Sequence, residues 1–485
     1  MEISRHCFSL VCMLALLSSE ALAQTDSGRI VGTGYDTRIS DDSSRMRLTD
    51  GTNEVSQGET AVEHSQSAYS QSAHAQSELG QFGPCGAGQC GGCPNCGLSA
   101  SHGAPGDPWT LPQPGVLQRM GIKVGGWLQQ GITFNAHHSD DGFNGPVGTN
   151  DWDDDYQMNQ LWLYLDRPAD NGGSGFAWGG HFDIMYGTDW RFGINEGLET
   201  EINGFDYQDY GTVVPRMYLE FAYNRFSVKL GHIAGILDYE SVPSPLNPFY
   251  SHSYSYAYTV PQLVTGMLGE YKLTDRLVLQ SGFHRGWFMF EDTNDTLDFM
   301  GGAKWTSPNE RTKVSYAVSI GPQDPPGDFN QVPGDQDRFV YSLVLEQKLF
   351  QNLQYVVVHN LGTEENAPRP GTTAEWYGIN QYFLYALTPK LNANLRVEWM
   401  RDDDGVRIAG PGNIHGVDAW AGRGFAGSFY NITTGLNWRP CGNLIVRPEC
   451  RWDWYEGAEG PVGLPFDGGN EDSQFTVGMD AILTY

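Results

Sequence analysis

The last twelve residues constrain the fold more than any other stretch. From Gln474 to Tyr485, the apolar or small residues Phe475, Val477, Met479, Ala481, Leu483 and Tyr485 alternate with Gln474, Thr476, Gly478, Asp480, Ile482 and Thr484. Successive side chains of a strand point to opposite faces, so one face here is apolar and the other mostly polar. With the apolar face outward, about ten such residues make a transmembrane β-strand. A strand of a soluble sandwich alternates in the same way, and the rest of the chain must decide.

The N-terminus reads as a secretory signal over residues 1–23. Arg5 is the charged flank, Phe8 to Leu17 the apolar stretch, and Ala21-Leu22-Ala23 the cleavage site. Cys7 and Cys12 fall inside it, not after the cleavage site, which argues against a lipid anchor. No run of 18 apolar residues follows, so no transmembrane helix is expected. A membrane protein without such helices must be a closed barrel, because lipid offers no partner to open backbone groups.

Acids outnumber bases by 58 to 29, a formal charge of −29, which disfavours a nucleic-acid partner. The acids cluster at Asp151 with Asp153 to Asp155, Asp402 to Asp404, and Glu471-Asp472. These clusters read as solvated loops; bridging of divalent ions to neighbouring surface molecules is the functional alternative. The 151–155 run lacks the full calcium-loop spacing and its bidentate Glu. No resident metal or cofactor is implied.

Residues 24–118 form an arm of different character. Residues 53–80 are rich in Ser, Gln, Ala and Glu, with Ser65-Gln66-Ser67-Ala68 repeated at Ser70-Gln71-Ser72-Ala73, and have few large apolar groups to offset ordering. A mostly disordered periplasmic arm is expected. Its cysteines Cys85, Cys90, Cys93 and Cys96 follow C-x4-C-x2-C-x2-C. An oxidising compartment favours disulfides among them. Zinc or an iron–sulfur cluster, and linkage to another chain or wall component, are the alternatives. Cys441 and Cys450 are not expected to pair, because nine residues of strand would hold them about 30 Å apart.

From residue 119 onward the pattern is all-β. Sixteen strands are expected, the first at 121–135 and the last at 474–485, with others including 212–223 and 277–290. Tight turns at Asn224-Arg225, Thr274 to Arg276, Gln351-Asn352, Thr388 to Leu391 and Pro440 to Asn443 alternate with longer links. Those links are 136–157, 187–211, 236–262, 322–336, 402–427 and 456–473; the link at 291–297 is short. Short periplasmic turns alternating with long outer loops is the plan of an outer-membrane barrel. Tryptophans near strand ends, among them Trp127, Trp162, Trp178, Trp376, Trp438 and Trp452, read equally as an interfacial belt or as packing under loops.

Several runs resemble the β-barrel porin-2 family, the OmpL-like group. They are Met158-Asn159-Gln160-Leu161-Trp162-Leu163-Tyr164-Leu165-Asp166-Arg167-Pro168, Trp178-Gly179-Gly180-His181-Phe182-Asp183, Tyr186-Gly187-Thr188-Asp189 and Tyr250-Ser251-His252-Ser253-Tyr254. Arg285-Gly286-Trp287, Arg396-Val397-Glu398-Trp399 with Arg401 to Gly405, and Arg447-Pro448-Glu449 continue the likeness. The resemblance covers roughly 121–485, not the arm. It implies a closed antiparallel barrel in the outer membrane of a Gram-negative-type bacterium, in contact with membrane lipid. By analogy with porins of this size it suggests a homotrimer.

One register of residues 444–455 holds Ile445, Arg447, Glu449, Arg451, Asp453 and Tyr455. Four charges on one face cannot point into lipid, where a basic group at mid-bilayer costs about 2–4 kcal/mol. Arg396 and Glu398 behave alike, as do His181 and Asp183. These eight are the expected lumen residues, either as a paired network bracing the wall or as a selectivity constriction. Residues 236–262 are the candidate for folding inward. The expected function is passive diffusion of small hydrophilic solutes or ions, and the alternative is a non-conducting barrel whose acidic loops bind partners or divalent ions. There is no G-x-S-x-G elbow, H-E-x-x-H pair or phosphate loop to support an enzyme. The arm would meet a cell-wall or periplasmic partner.

Overall fold

The computed structural model describes residues 105–485, apart from 205–208, 293, 324–335, 409–423 and 461–462. The expected signal segment, most of the arm and Cys85, Cys90, Cys93 and Cys96 lie outside the described residues. The strands are β1 (Lys123–Asn135), β2 (Tyr156–Arg167), β3 (Phe176–Gly187), β4 (Gly211–Val213), β5 (Met217–Tyr223), β6 (Phe226–Ala234), β7 (Leu263–Lys272), β8 (Leu277–His284) and β9 (Asp298–Thr306). They continue as β10 (Thr312–Gln323), β11 (Gln336–Lys348), β12 (Leu353–Glu365), β13 (Thr373–Thr388), β14 (Leu391–Asp402), β15 (Gly427–Cys441), β16 (Leu444–Gly457) and β17 (Ser473–Thr484).

Each long strand pairs antiparallel with its neighbours in the chain, and β1 pairs with β17, from Trp127 opposite Thr484 to Asn135 opposite Thr476. The three-residue β4 only extends the edge of β3, so sixteen strands close the barrel. The expected strand 212–223 is divided in two. Pro215 has no N–H for the ladder, and residues on either side of it pair with different stretches of β3. The expected strand 277–290 stops at His284, two residues before Gly286 takes a φ of 115°.

Alternation sets which side chains face lipid. Along β17, Phe475, Val477 and Met479 are exposed on the outer wall, whereas Gln474, Thr476 and Asp480 are buried inside. The same parity exposes Leu161 and Leu163 of β2 and buries Gln160 and Trp162; a bulge in β2 opposite Gln129–Gly131 turns Asn159 inward as well. Trp178, Trp305, Trp438 and Trp452 sit on the outer face. Trp127, Trp162 and Trp376 turn inward and are buried; Trp127 and Trp162 stack with ring centroids 4.4 Å apart. For these three the interfacial-belt reading gives way to interior packing.

Short turns gather at one end of the barrel with the start of β1 and the end of β17. There the segment 105–114 lies along the rim. Asn443, in the turn between β15 and β16, accepts from the Trp109 N–H at 2.5 Å and donates through Nδ2 to the carbonyls of Trp109 and Thr484 at 2.6 and 2.7 Å. Gln113 grips the start of β1, donating to the Val124 carbonyl and accepting its N–H, both at 2.8 Å. Among the described residues no helix is long and apolar enough to cross a membrane, which says nothing of crossing by strands.

Candidate functional site

All eight expected lumen residues point into the barrel and are buried. Seven are hydrogen-bonded or ion-paired to partners far away in sequence, and the six on β14 and β16 are bound up with one segment. Residues 235–262, between β6 and β7, fold into the barrel, carrying a short helix, Tyr254–Thr259, whose N-cap Ser253 accepts from the Tyr256 N–H. This loop puts many backbone N–H and C=O groups where water is scarce, and each needs a partner. The wall supplies them.

Arg447 donates to both oxygens of Asp480 and, through Nη1, to the carbonyls of Ser244 and Asn247 at 2.9 and 2.8 Å. Glu449 accepts from the N–H groups of Tyr250 and Ser251 at 2.8 and 3.2 Å. Arg451 donates to Asp453 and to the His252 carbonyl at 2.6 Å, while Asp453 also accepts from the Tyr254 hydroxyl at 2.8 Å. Glu398 accepts from the N–H groups of Tyr254 and Ser255 at 3.0 and 2.6 Å and from Asn431. Arg396 donates to Ser251 through its carbonyl and hydroxyl, at 2.8 and 2.9 Å, and to Glu240 at 3.1 Å. These charges anchor the inward loop.

Glu240, in the loop itself, is the other half of this lattice. It accepts from the Tyr382 hydroxyl at 2.5 Å and the Ser253 N–H at 3.2 Å, and bonds His252 at 2.7 Å. Burial alone would raise its pKa, but the His252 hydrogen bond and the Arg396 charge overcome it and hold the carboxyl down at about 2. Gly131 leaves room for Tyr250: a Cβ there would lie 2.6 Å from the Tyr250 ring. The Tyr250 hydroxyl reaches Asn159 at 2.9 Å.

His181 and Asp183 belong to a second network on β3. His181 bridges Asp166 at 2.9 Å and Asp183 at 2.8 Å; Asp183 also accepts from Arg216 and from the Trp162 indole. They stand beside the sector that the loop leaves uncovered. A cavity of about 700 Å³ opens there toward the short-turn end, lined by Lys123, Asp166, Arg216, Glu220, Lys229, Glu270, Lys272, Gln280 and Lys304. Among the described residues, neither Lys229 nor Lys304 is in an ion pair. Sequence reasoning passed over both lysines, although each occupies the inward register of its strand, Lys229 opposite Glu220 and Leu268, and Lys304 opposite Ser315 and Val278. Asp480, Gln129 and Asn159 were passed over too.

The outer end is closed in by other loops. Asp151 is fully buried and receives both guanidinium arms of Arg191 at 2.9 and 2.8 Å, and Asp153 accepts from the N–H groups of Asn135 and Ser139 at 2.6 and 2.9 Å. Asp402 accepts from the N–H groups of Val406, Arg407 and Ile408. These acids organise loops rather than standing free in solvent. In the loop between β3 and β5, Glu199 accepts from the N–H groups of Asn195 and Val214, each at 2.9 Å, yet burial raises its pKa to about 7. Burial raises Asp189 to about 6, against the side-chain amides of Asn159 and Gln160 that donate to it.

Solved outer-membrane proteins match most of the chain at low identity. The channel DcaP of Acinetobacter baumannii is 10% identical with a TM-score of 0.47, covering 75% of this chain and 97% of its own. OprB of Pseudomonas putida is 13% identical with a TM-score of 0.48, covering 76% and 96%. An anion-selective porin from Comamonas acidovorans is 9% identical with a TM-score of 0.48, covering 75% and 99%. No curated protein matches. A family model, by contrast, matches residues 121–485, the whole barrel. The chain therefore belongs to the family described as "Putative beta-barrel porin-2, OmpL-like", and is a porin-family barrel of the Gram-negative outer membrane.

Proposed function

We propose that the protein passes small hydrophilic solutes or ions by diffusion, without chemistry, through the sector of the barrel beside β3 to β9. The observation that carries this reading is the division of labour inside the wall. The arginines and carboxylates of β14 and β16 are spent on holding the inward loop, while Lys229, Glu270, Gln280 and Lys304 line a cavity. Charged side chains facing a narrow aqueous space set the field a solute crosses. Assembly as a homotrimer and export through residues 1–23 belong to the same proposal.

Planar-bilayer recording of the purified protein tests it. Discrete conductance steps are the expected result; a barrel that shows heat-modifiable gel mobility yet never conducts would overturn it. That second outcome would favour a structural barrel. One observation favours this rival: Ile236, Leu237, Val242, Tyr256 and Val260 of the loop pack with Trp190, Trp287 and Trp376 in one buried cluster across the interior.

A further inference from the structure

The outer wall of the barrel carries an apolar groove with a basic mouth. Its volume is about 540 Å³, and it is lined from the short helix Gly115–Arg119, the residues after it, and β2, β3, β5 and β6. Alternation explains the hollow. Gly180 takes an outward position of β3 between Trp178 and Phe182, so one side chain is missing from a bulky wall. In the row across the strands it stands between Arg167 of β2 and Leu219 of β5, and Leu219 faces Leu230 of β6. One row further from the short-turn end, Leu165, Phe182 and Met217 continue the apolar lining.

The mouth lies at the short-turn end, which faces the periplasm in a barrel of this plan. Arg167, the last residue of β2, lays its guanidinium over the Trp178 ring, 3.7 Å from the centroid. Its Nη1 is buried without a hydrogen-bond partner, so the protein leaves this cation under-satisfied where buried donors normally find acceptors. Arg119, which ends the helix, lines the same groove. Among the described residues neither arginine is in an ion pair, and no acid lines the groove, in a chain with twice as many acids as bases. Asp166, the neighbour of Arg167, turns inward to His181 at 2.9 Å. Val116 and Met120 are exposed beside Arg119, as suits residues at the edge of a bilayer.

We propose that the groove binds one anionic phospholipid of the periplasmic leaflet. Its phosphate accepts hydrogen bonds from Arg119 and Arg167, whose planar guanidinium forks suit that group. One acyl chain lies over Gly180, between Leu219 and Phe182, and removes apolar surface from the wall and from itself. Charge complementarity selects this occupant. Two cations at headgroup level, next to an apolar trough, match a molecule in which an anion is joined to a hydrocarbon chain. With no carboxylate at the mouth, nothing there holds the ammonium of a zwitterionic headgroup. A second barrel packed symmetrically on this face would set arginine against arginine.

The test is native mass spectrometry of the full-length protein in detergent, titrated with dioleoyl phosphatidylglycerol, dioleoyl phosphatidylethanolamine or dioleoylglycerol. The first should bind tightest, and dioleoylglycerol, which lacks the phosphate, about tenfold more weakly or not at all, as the loss of a charge-assisted hydrogen bond requires. Arg119→Gln with Arg167→Gln should weaken phosphatidylglycerol by a similar factor while leaving the barrel heat-modifiable on gels. Leu219→Trp, which fills the hollow beside Gly180, should weaken it with both arginines intact. Equal binding of all three probes overturns the proposal, as does wild-type affinity in the double arginine variant. So does a cross-link between barrels in native membranes that requires Met217→Cys, since a second copy would then cover the groove. The comparison of probes on the wild-type protein decides the matter even if a variant fails to fold.

Discussion

Arg447 and Asp480 are register partners on β16 and β17, and the guanidinium that bridges them also holds the carbonyls of Ser244 and Asn247. One side chain thus joins the wall to the inward loop. Arg447→Met leaves Asp480 buried without its cation, a loss of about 3–5 kcal/mol. The expected outcome is a lower unfolding temperature in detergent, together with larger and noisier conductance as the loop loosens. Arg447→Met with Asp480→Leu should recover much of the stability, because a buried pair replaced by apolar groups is often neutral, but not the quiet conductance. A double variant as unstable as the single one would contradict this.

Gly131 is small because Tyr250 occupies the space beside it. Gly131→Leu should push the Tyr250 ring off β1 and break its 2.9 Å bond to Asn159. Overpacking costs about 1–3 kcal/mol, so the barrel should still form while the loop shifts. Single-channel conductance that matches wild type would show that the loop does not limit flow.

Lys229 and Lys304 line the uncovered sector. Replacing both by Glu should move the reversal potential toward cation preference in a salt gradient. Charge reversal at Arg451 should chiefly destabilise the loop, since that side chain is fully buried against Asp453 and His252. Equal selectivity shifts from both sets would refute the assignment of the path to β3–β9.

Glu199 and Asp189 carry raised pKa values of about 7 and about 6. A carboxyl raised in the folded state binds protons that the unfolded state has released. Stability is therefore fully present below the ordinary carboxyl range and falls as pH rises through about 7. The loop between β3 and β5 should become more protease-sensitive from pH 5 to pH 8, and Glu199→Gln should flatten much of that dependence. Sensitivity that rises toward acid would reverse the sign.

The wall of the barrel was legible in the sequence because parity is local. Alternate residues of 444–455 announce their two faces, and Arg447, Glu449, Arg451 and Asp453 point inward as the period requires. What those charges touch was not legible. Arg447 meets Ser244 across 203 positions of sequence, and Glu449 meets Tyr250 across 199. A loop contributes partners through its backbone, and backbone groups leave no trace in residue type. Trp127 shows the same limit from the other side. An amphipathic ring near a strand end suits an interface equally well, and only its neighbour Trp162 turned it inward. Pro215 marks the break in the expected strand 212–223, where its missing N–H outweighs the apolar run around it.

The seam between β1 and β17 has a consequence for biogenesis. Its two halves are the first and last of the strands that form the barrel, so no intermediate of synthesis lacking β17 can seal itself. Until the final dozen residues arrive, the growing sheet has two raw borders and a greasy flank, and it must be escorted rather than left in water. A chain truncated before Ser473 would retain most of its strands and still have no wall to close.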